Sequence, residues 1–244
     1  MNSPKRLARI AGVLYLLVGI FGGFAEGFVE PKVYVAGDAT TTTRNLVENA
    51  GLVRAGIVAD LFQATVFVFV AMTLYLLLRH VHKNAARSMV VLVMIATSIM
   101  CLNDVFELAG LRVATGAVDL GPLGTGGSNA IVLLLLDTQH YGLLIAQIFF
   151  GLWLVPLGYL ANRSGWFPKA LSVLLVTGGV CYLVDLLAAF LAPDLGKDIH
   201  AFIVIPCAVA EIWMVGYLLM VGVKNVNSSM ESESIETPTA KARG

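Results

Sequence analysis

Six long stretches of apolar residues, separated by short polar segments, dominate the pattern of this chain. A helix needs about 20 apolar residues to cross the hydrocarbon core of a bilayer, and each stretch reaches that length. The pattern therefore predicts an all-α fold, a polytopic bundle of six transmembrane helices. The predicted spans are residues 7–28, 52–78, 89–111, 130–160, 170–191 and 201–223.

The polar segments between the spans predict where the chain leaves the membrane. The two longest are residues 29–51 and the glycine-rich residues 112–129, and both read as loops. After residue 223 the composition changes to Ser, Glu, Asn and Thr, which favours a disordered segment. We therefore expect a membrane domain over residues 1–223 and a disordered cytoplasmic tail over residues 224–244.

Composition and charge support the same class of protein. Hydrophobic residues make up 58% of the chain and charged residues 13%, whereas roughly a quarter of the residues in a soluble domain are charged. The formal net charge of +0 provides no overall field that would attract nucleic acid. The expected partners are the lipid bilayer and, because six spans are few for a lone transporter, further copies of the chain.

The distribution of lysine and arginine predicts the orientation, because cytoplasmic loops retain these residues. Eleven fall on one side of the predicted membrane and five on the other, which places both termini in the cytoplasm. The eleven are Lys5, Arg6, Arg9, Arg79, Lys83, Arg87, Arg163, Lys169, Lys224, Lys241 and Arg243. The five are Lys32, Arg44, Arg54, Arg112 and Lys197.

Acidic side chains recur inside the predicted spans, where each charged group costs a few kcal/mol and usually faces the protein interior. Counting about 1.5 Å per residue from the outer ends places all of them roughly 6 to 16 Å below the outer surface. The inner halves of the same helices contain no acid. The acids are Glu26, Asp60, Asp104, Glu107, Asp137, Asp185 and Glu211.

This shared depth predicts one polar pocket that opens to the outside. No lysine or arginine lies at the same depth, so repulsion and desolvation favour protonated acids, a bound cation or a water-filled cavity. Residues at helical spacing, such as Asn103 and Glu107, would point together into the bundle. The predicted pocket residues are Asp60, Asn103, Asp104, Glu107, Asp137, His140, Asp185 and Glu211.

Asp137 and His140 are the candidate metal ligands. Their i,i+3 spacing allows a carboxylate and an imidazole to bind one metal or to exchange one proton. The alternative is that both side chains form hydrogen bonds to neighbouring helices and only fix the packing. No catalytic residue or cofactor follows from the sequence beyond a possible bound cation.

Glycines recur every four residues in the first span, at Gly19, Gly23 and Gly27. Such spacing allows a neighbouring backbone to approach closely, and we expect it to serve helix packing. The same span follows a basic N-terminus, as in a signal peptide, but is longer than a typical signal segment and has no small-residue cleavage site. We expect it to remain as the first transmembrane helix.

Several short motifs resemble a bacterial family of polytopic membrane proteins known as domain of unknown function 4386. The motifs are ARIAGVLYLL at 8–17, ADL at 59–61, QHYG at 139–142, FFGL at 149–152, GYL at 158–160, RSGWFP at 163–168 and GVCYLVD at 179–185. The resemblance covers residues 5 to 223. It implies a six-helix protein of the bacterial inner membrane without an established activity, and it makes Asp60, His140 and Asp185 the preferred functional positions.

Three functional hypotheses follow. The pocket could bind or transport a cation, a proton or a small polar solute, with carboxylates exchanging protons for the bound species. The chain could instead be a metal-dependent enzyme that acts on a lipid-soluble substrate, with Asp104 or Glu107 as the base. It could also be a membrane scaffold whose polar residues only hold the helices together.

Overall fold

The computed structural model describes residues 3–118 and 120–224, and this part of the chain is helical, with no strand. Helix α1, Pro4–Phe24, continues through a π-helical turn, Ala25–Val29, into the short α2, Glu30–Val33. The remaining helices are α3 (Ala39–Glu48), α4 (Ala50–Leu78), α5 (Lys83–Ala114), α6 (Gly124–Ser164), α7 (Lys169–Leu191) and α8 (Pro193–Met220).

Six helical segments of the described chain are long and apolar enough to cross a membrane, which confirms the predicted fold class. The first combines α1, the π-helical turn and α2; the others are α4, α5, α6 (with the 3₁₀ turn before it), α7 and α8. The last of them ends at Met220, three residues before the predicted end of the span. The predicted tail lies, apart from Lys224, outside the described residues.

Local sequence signals set the ends of several helices. The Ser3 side chain accepts a hydrogen bond from the backbone of Arg6, and Pro4 occupies the first turn of α1. Asp38 caps α3 by accepting from the backbone N–H and the hydroxyl of Thr41. These two bonds hold the pKa of Asp38 below its usual value. Gly165 follows the last residue of helix α6 and terminates it, with a φ of 68° that suits glycine.

The six spans form a closed ring. Each span packs against the next along the chain, and α8 closes the ring by packing against α1. Because α1 begins and α8 ends on the same side, we call that side the terminal end of the bundle. The opposite side carries residues 30–49, 115–118 and 120–123, and we call it the loop end.

Two apolar clusters fill the interior. The larger lies at the terminal end and includes Tyr15, Leu74, Met89 and Trp153. The smaller lies at the loop end and includes Val33, Leu46, Ile57, Leu111 and Leu136. Burial of apolar area stabilises such packing, although lipid competes for the outward faces of every helix.

Residues 29–51 are not the simple polar loop that their composition predicts. They contain α2 and α3, and α3 packs against α5 and α6. Leu46 is fully buried, and the buried Thr42 hydroxyl donates to the carbonyl of Val35. The prediction missed this helix because its ten residues contain only two large apolar side chains, Leu46 and Val47, and this pattern is too short to distinguish from a loop.

Glycine permits close helix crossings at other positions than the repeat in α1 suggests. A Cβ on Gly151 would lie 2.6 Å from the carbonyl oxygen of Gly179, so α6 and α7 touch through their backbones. At Gly19, Gly23 and Gly27, by contrast, no described residue lies within 4 Å of the Cβ position. The expected packing role of this repeat is therefore wrong within the chain.

Candidate functional site

A polar layer separates the two apolar clusters. In α4, Asp60 and Gln63 lie between Ile57 of the smaller cluster and Val66 of the larger one. The same order holds in the first span as a whole, in α5 and in α6, where acids or amides interrupt the apolar packing between the clusters. Interiors of membrane bundles rarely contain such groups, so their concentration at one level marks a candidate site.

The layer encloses a small cavity between the π-helical turn, α2, α4, α5 and α6. Its volume is about 20 Å³, which is enough for one water-sized particle and not for a larger solute. Among the described residues, no lysine or arginine lines it. The polar side chains in its wall are Glu26, Glu30, Tyr34, Asp60, Asn103, Glu107 and Gln139.

Two carboxyl groups meet beside this cavity. Asp60 and Asp104 lie within hydrogen-bonding distance of each other. Asp60 Oδ1 and Asp104 Oδ2 are buried, and no hydrogen-bond donor among the described residues reaches either atom. Because two carboxylates in contact repel each other, the pair requires a shared proton or a cation.

Two amide side chains flank the acids, and each depends on a glycine. The Gln63 amide contacts the carboxylate of Glu26, and its Oε1 lies 2.5 Å from where a Cβ on Gly22 would be. The Asn103 amide occupies the corresponding space beside Gly142. Gln63 Oε1 and Asn103 Nδ2 are both buried without a partner among the described residues. Gln63 Oε1 can accept a hydrogen bond or bind a cation, whereas Asn103 Nδ2 can only donate a hydrogen bond.

Residues at the start of the loop-end segment cover the cavity. The Tyr34 hydroxyl donates to Asp137 Oδ1 at 2.6 Å, and His140 Nδ1 lies 3.0 Å from Glu30 Oε1. The Tyr34 and His140 rings also stack, with centroids 5.2 Å apart. Burial and the bond to Asp137 raise the pKa of Tyr34 above its usual value, so the hydroxyl stays protonated. We call these four residues the lid contacts.

Asp185 and Glu211 do not line the cavity. Asp185 is 3% exposed and accepts from His200 across the α7–α8 hairpin, with Nδ1 to Oδ1 at 2.9 Å. Glu211 accepts one hydrogen bond from each of two tyrosine hydroxyls, Tyr15 at 3.0 Å and Tyr182 at 3.1 Å. Both acids therefore have local partners of their own.

The structure thus divides the predicted pocket residues into groups. Asp60, Asn103 and Glu107 line the cavity, and Asp104 contacts Asp60. Asp137 and His140 belong to the lid contacts, whereas Asp185 and Glu211 lie elsewhere in the bundle. Sequence reasoning missed Glu30 because it was assigned to a loop. The continuing helical pattern through Pro31 was the signal that could have found it.

The metal prediction concerns Asp137 and His140. In the structure these side chains bond to different residues, Tyr34 and Glu30. Across the described residues, no three His, Cys, Asp or Glu side chains are arranged to hold one metal ion. A tightly chelated metal commonly needs at least three protein ligands, so the pair alone would bind weakly.

The fold and the polar layer define a class, a multi-pass α-helical membrane protein with ionisable groups inside its bundle. The chain belongs to the family described as Domain of unknown function (DUF4386), which it matches over residues 10–222. No curated protein and no solved structure matches it.

Proposed function

We propose that the cavity in the polar layer binds a small cation in exchange for protons. The observation that carries this proposal is the Asp60–Asp104 contact, in which buried carboxyl oxygens have no donor among the described residues. A proton shared by the two groups satisfies them in one state. A cation satisfies them in the other.

The size of the cavity restricts the ligand. A space of about 20 Å³ holds one ion or one water molecule. The small polar solute that the sequence also suggested as a ligand would need a larger cavity. Carboxylate and amide oxygens are hard ligands that suit alkali and alkaline-earth cations. The ligands that fit are therefore H⁺, Na⁺ and similar small hard ions.

Electrostatics favours exchange over permanent occupancy. Glu26, Asp60 and Glu107 line the same small space, and within the described part of the chain no basic side chain lines it to balance them. Full ionisation would place several negative charges together in a low-dielectric interior, which is strongly unfavourable. Each cation that enters therefore replaces protons, and its apparent affinity falls as the pH is lowered.

The lid contacts support access from the loop end. Tyr34 and Glu30 belong to the segment that leaves the first span, and they are bonded to Asp137 and His140 on α6. With the orientation predicted from lysine and arginine, this end faces away from the cytoplasm. We place the protein in the bacterial inner membrane, with both termini inside, as a candidate cation or proton binding protein or transporter.

Asp185 and Glu211 favour the scaffold hypothesis for their own parts of the bundle. Their oxygens are already bonded to His200, Tyr15 and Tyr182. Such bonds hold helices together in membranes, at about 0.6 kcal/mol each on average. The scaffold role and the cation site can therefore coexist in one protein.

The test is cation binding to purified full-length protein in detergent. Calorimetric titration with Na⁺, K⁺, Mg²⁺ and Ca²⁺ should detect saturable binding at alkaline pH, weaker binding at mildly acidic pH, and proton release into weakly buffered medium. Asp60→Asn should weaken binding about 30-fold or more, because it removes a buried charged ligand.

Asp198→Asn is the matched control, since Asp198 is exposed in α8. It should leave the titration unchanged. Absence of binding by any of these cations at alkaline pH would overturn the proposal, as would an equal loss in the control. If Asp60→Asn released as many protons as the native protein, the exchange would belong to other groups, and the proposal would also be overturned.

A further inference from the structure

A shallow groove runs along one face of α1 at the terminal end. Its volume is about 430 Å³, and because every residue that lines it lies on α1 or just before it, the groove is open along its length. Lys5, Arg6 and Arg9 form its outer part, and Ile10, Val13 and Leu14 continue it along the helix. The groove is separate from the polar layer and uses none of its residues.

Two of the cations in this groove, Lys5 and Arg9, have no acidic partner among the described residues. The ion pairs in the described residues involve His140 and His200. Two further arginines at the same end lie over aromatic rings of the chain. Arg79 lies 5.9 Å from the ring centroid of Tyr75, and Arg163 lies 5.8 Å from that of Tyr159.

Polarity changes in one direction along the groove. Lys5, Arg9 and Val13 follow each other on successive turns of one face, and Lys5 lies about 12 Å from Val13 along the axis. Val13 is 50% exposed and Ile10 38% exposed on a helix that spans the membrane. The groove therefore presents cations at the membrane surface and apolar side chains below them.

We propose that this groove binds an anionic phospholipid. Its phosphate would lie against Lys5 and Arg9, and its acyl chain would follow Ile10 and Val13 into the bilayer. Free phosphate complements only the charged part of the groove. A phospholipid complements both parts in the order in which they occur, because its charged head lies at the surface and its chains lie below.

The C-terminal tail, which carries three glutamates and, after them, Lys241 and Arg243, is the competing occupant. Lys5 packs beside Gly222, so the tail that follows begins close to the groove. The tail contains Glu231, Glu233 and Glu236. Its composition between residues 225 and 234 is mostly polar, however, and offers little to cover the apolar part of the groove. We therefore favour the lipid.

The experiment is native mass spectrometry of the full-length protein released from detergent after addition of phosphatidylglycerol or phosphatidylcholine. Phosphatidylglycerol should remain bound in preference to phosphatidylcholine. The double variant Lys5→Gln/Arg9→Gln should bind phosphatidylglycerol roughly 30-fold more weakly, at about fivefold for each cation removed. Val13→Trp should also weaken binding with all charges retained, because the indole fills the apolar part of the groove.

The matched control is Lys83→Gln/Arg87→Gln, which removes two exposed cations from the same end of the bundle. An equal loss in this control would reduce the effect to general surface charge and overturn the proposal. Displacement of lipid by inorganic phosphate alone, or a Val13→Trp variant with unchanged lipid binding, would also overturn it. Increased lipid binding in Glu231→Gln/Glu233→Gln/Glu236→Gln would show that the tail occupies the groove in the native chain.

A folding defect would be recognised separately. Lys5→Arg/Arg9→Lys keeps both charges and should retain the preference for phosphatidylglycerol. Thermal unfolding of each variant in detergent should match that of the native protein, because both residues are exposed. A conservative variant that folds but loses the preference would contradict a charge-based site.

Discussion

Two buried acidic sites in the same bundle have opposite hydrogen-bond arrangements. Each oxygen of Glu211 accepts a tyrosine hydroxyl, from Tyr15 on α1 and from Tyr182 on α7. At the Asp60–Asp104 pair, one buried oxygen of each residue has no donor among the described residues. The first site is complete with protein groups alone, whereas the second requires a proton or an ion.

The surroundings of the two sites explain this difference. Glu211 lies next to the larger apolar cluster, where Tyr15 also packs edge-on against Trp153 at 5.7 Å. The hydroxyls there are held by rigid aromatic packing. Asp60 faces a cavity whose other polar side chains are mainly acids and amides. An acid whose oxygens accept hydrogen bonds from protein groups fixes helix positions inside a membrane. An acid whose oxygens lack such donors remains available to exchange a proton for a cation.

The largest expected effect is a difference in the free energy of unfolding between variants at Glu211 and variants at the Asp60–Asp104 pair. Glu211→Ala should lower the free energy of unfolding by about 2 to 4 kcal/mol, because two buried hydroxyls lose their acceptor and a void remains. Asp104→Asn should leave it unchanged or raise it, because the new amide can donate to Asp60. Unfolding with SDS in mixed micelles measures both changes.

Glu48→Ala serves as the control for the loss of a glutamate, since Glu48 is exposed at the end of α3. It should change the free energy of unfolding little. If Asp104→Asn were as destabilising as Glu211→Ala, the Asp60–Asp104 pair would be a structural contact. The comparison between the sites would then fail.

The sequence predicted the spans because each one is an apolar run of sufficient length, and that signal depends on no neighbour. It also placed acids at one level, since depth follows from counting along a helix. It could not predict which acids meet. Helices α4, α6 and α7 are apolar on nearly all sides, so periodicity does not indicate which face of each helix lies inside the bundle.

Partners from distant parts of the chain were equally out of reach. Glu211 contacts a tyrosine 196 positions away, and His140 contacts a glutamate 110 positions away. Both contacts depend on the closure of the ring by α8 and on the helix that continues from α1. Spacing within one span had instead paired Asp137 with His140. The structure gives each of these residues a partner on the segment after α1.

A smaller effect should test whether the amides of the polar layer support cation binding. Gly22→Ala places a methyl group where the Gln63 amide lies, so the flexible side chain must move away from Glu26. We expect cation affinity to fall about tenfold, as for other changes next to a metal ligand, with little change in stability. Calorimetric titration measures the affinity.

Gly23→Ala is a close control, because the neighbouring residue has open space at its Cβ position. This variant should bind cations like the native protein and gain slightly in helix propensity. Equal effects at both glycines would mean that α1 responds to any added methyl group. The role of Gln63 would then lose its support.

The smallest effect concerns the lid contacts. Tyr34→Phe removes the 2.6 Å hydrogen bond to Asp137 but keeps the ring that stacks on His140. A loss of about 0.6 kcal/mol shifts lid opening about threefold. If the lid only controls access, cation association and release should both accelerate about threefold in stopped-flow measurements, and the affinity should stay the same. Amide hydrogen exchange in residues 30–49 should accelerate by a similar factor without any cation, which tests the lid independently of binding.

Tyr141→Phe, at a tyrosine that is 53% exposed, is the control and should alter neither rate. A fall in affinity with unchanged association would instead place the Tyr34 hydroxyl on the ion, because only a ligand of the bound state slows release without affecting entry.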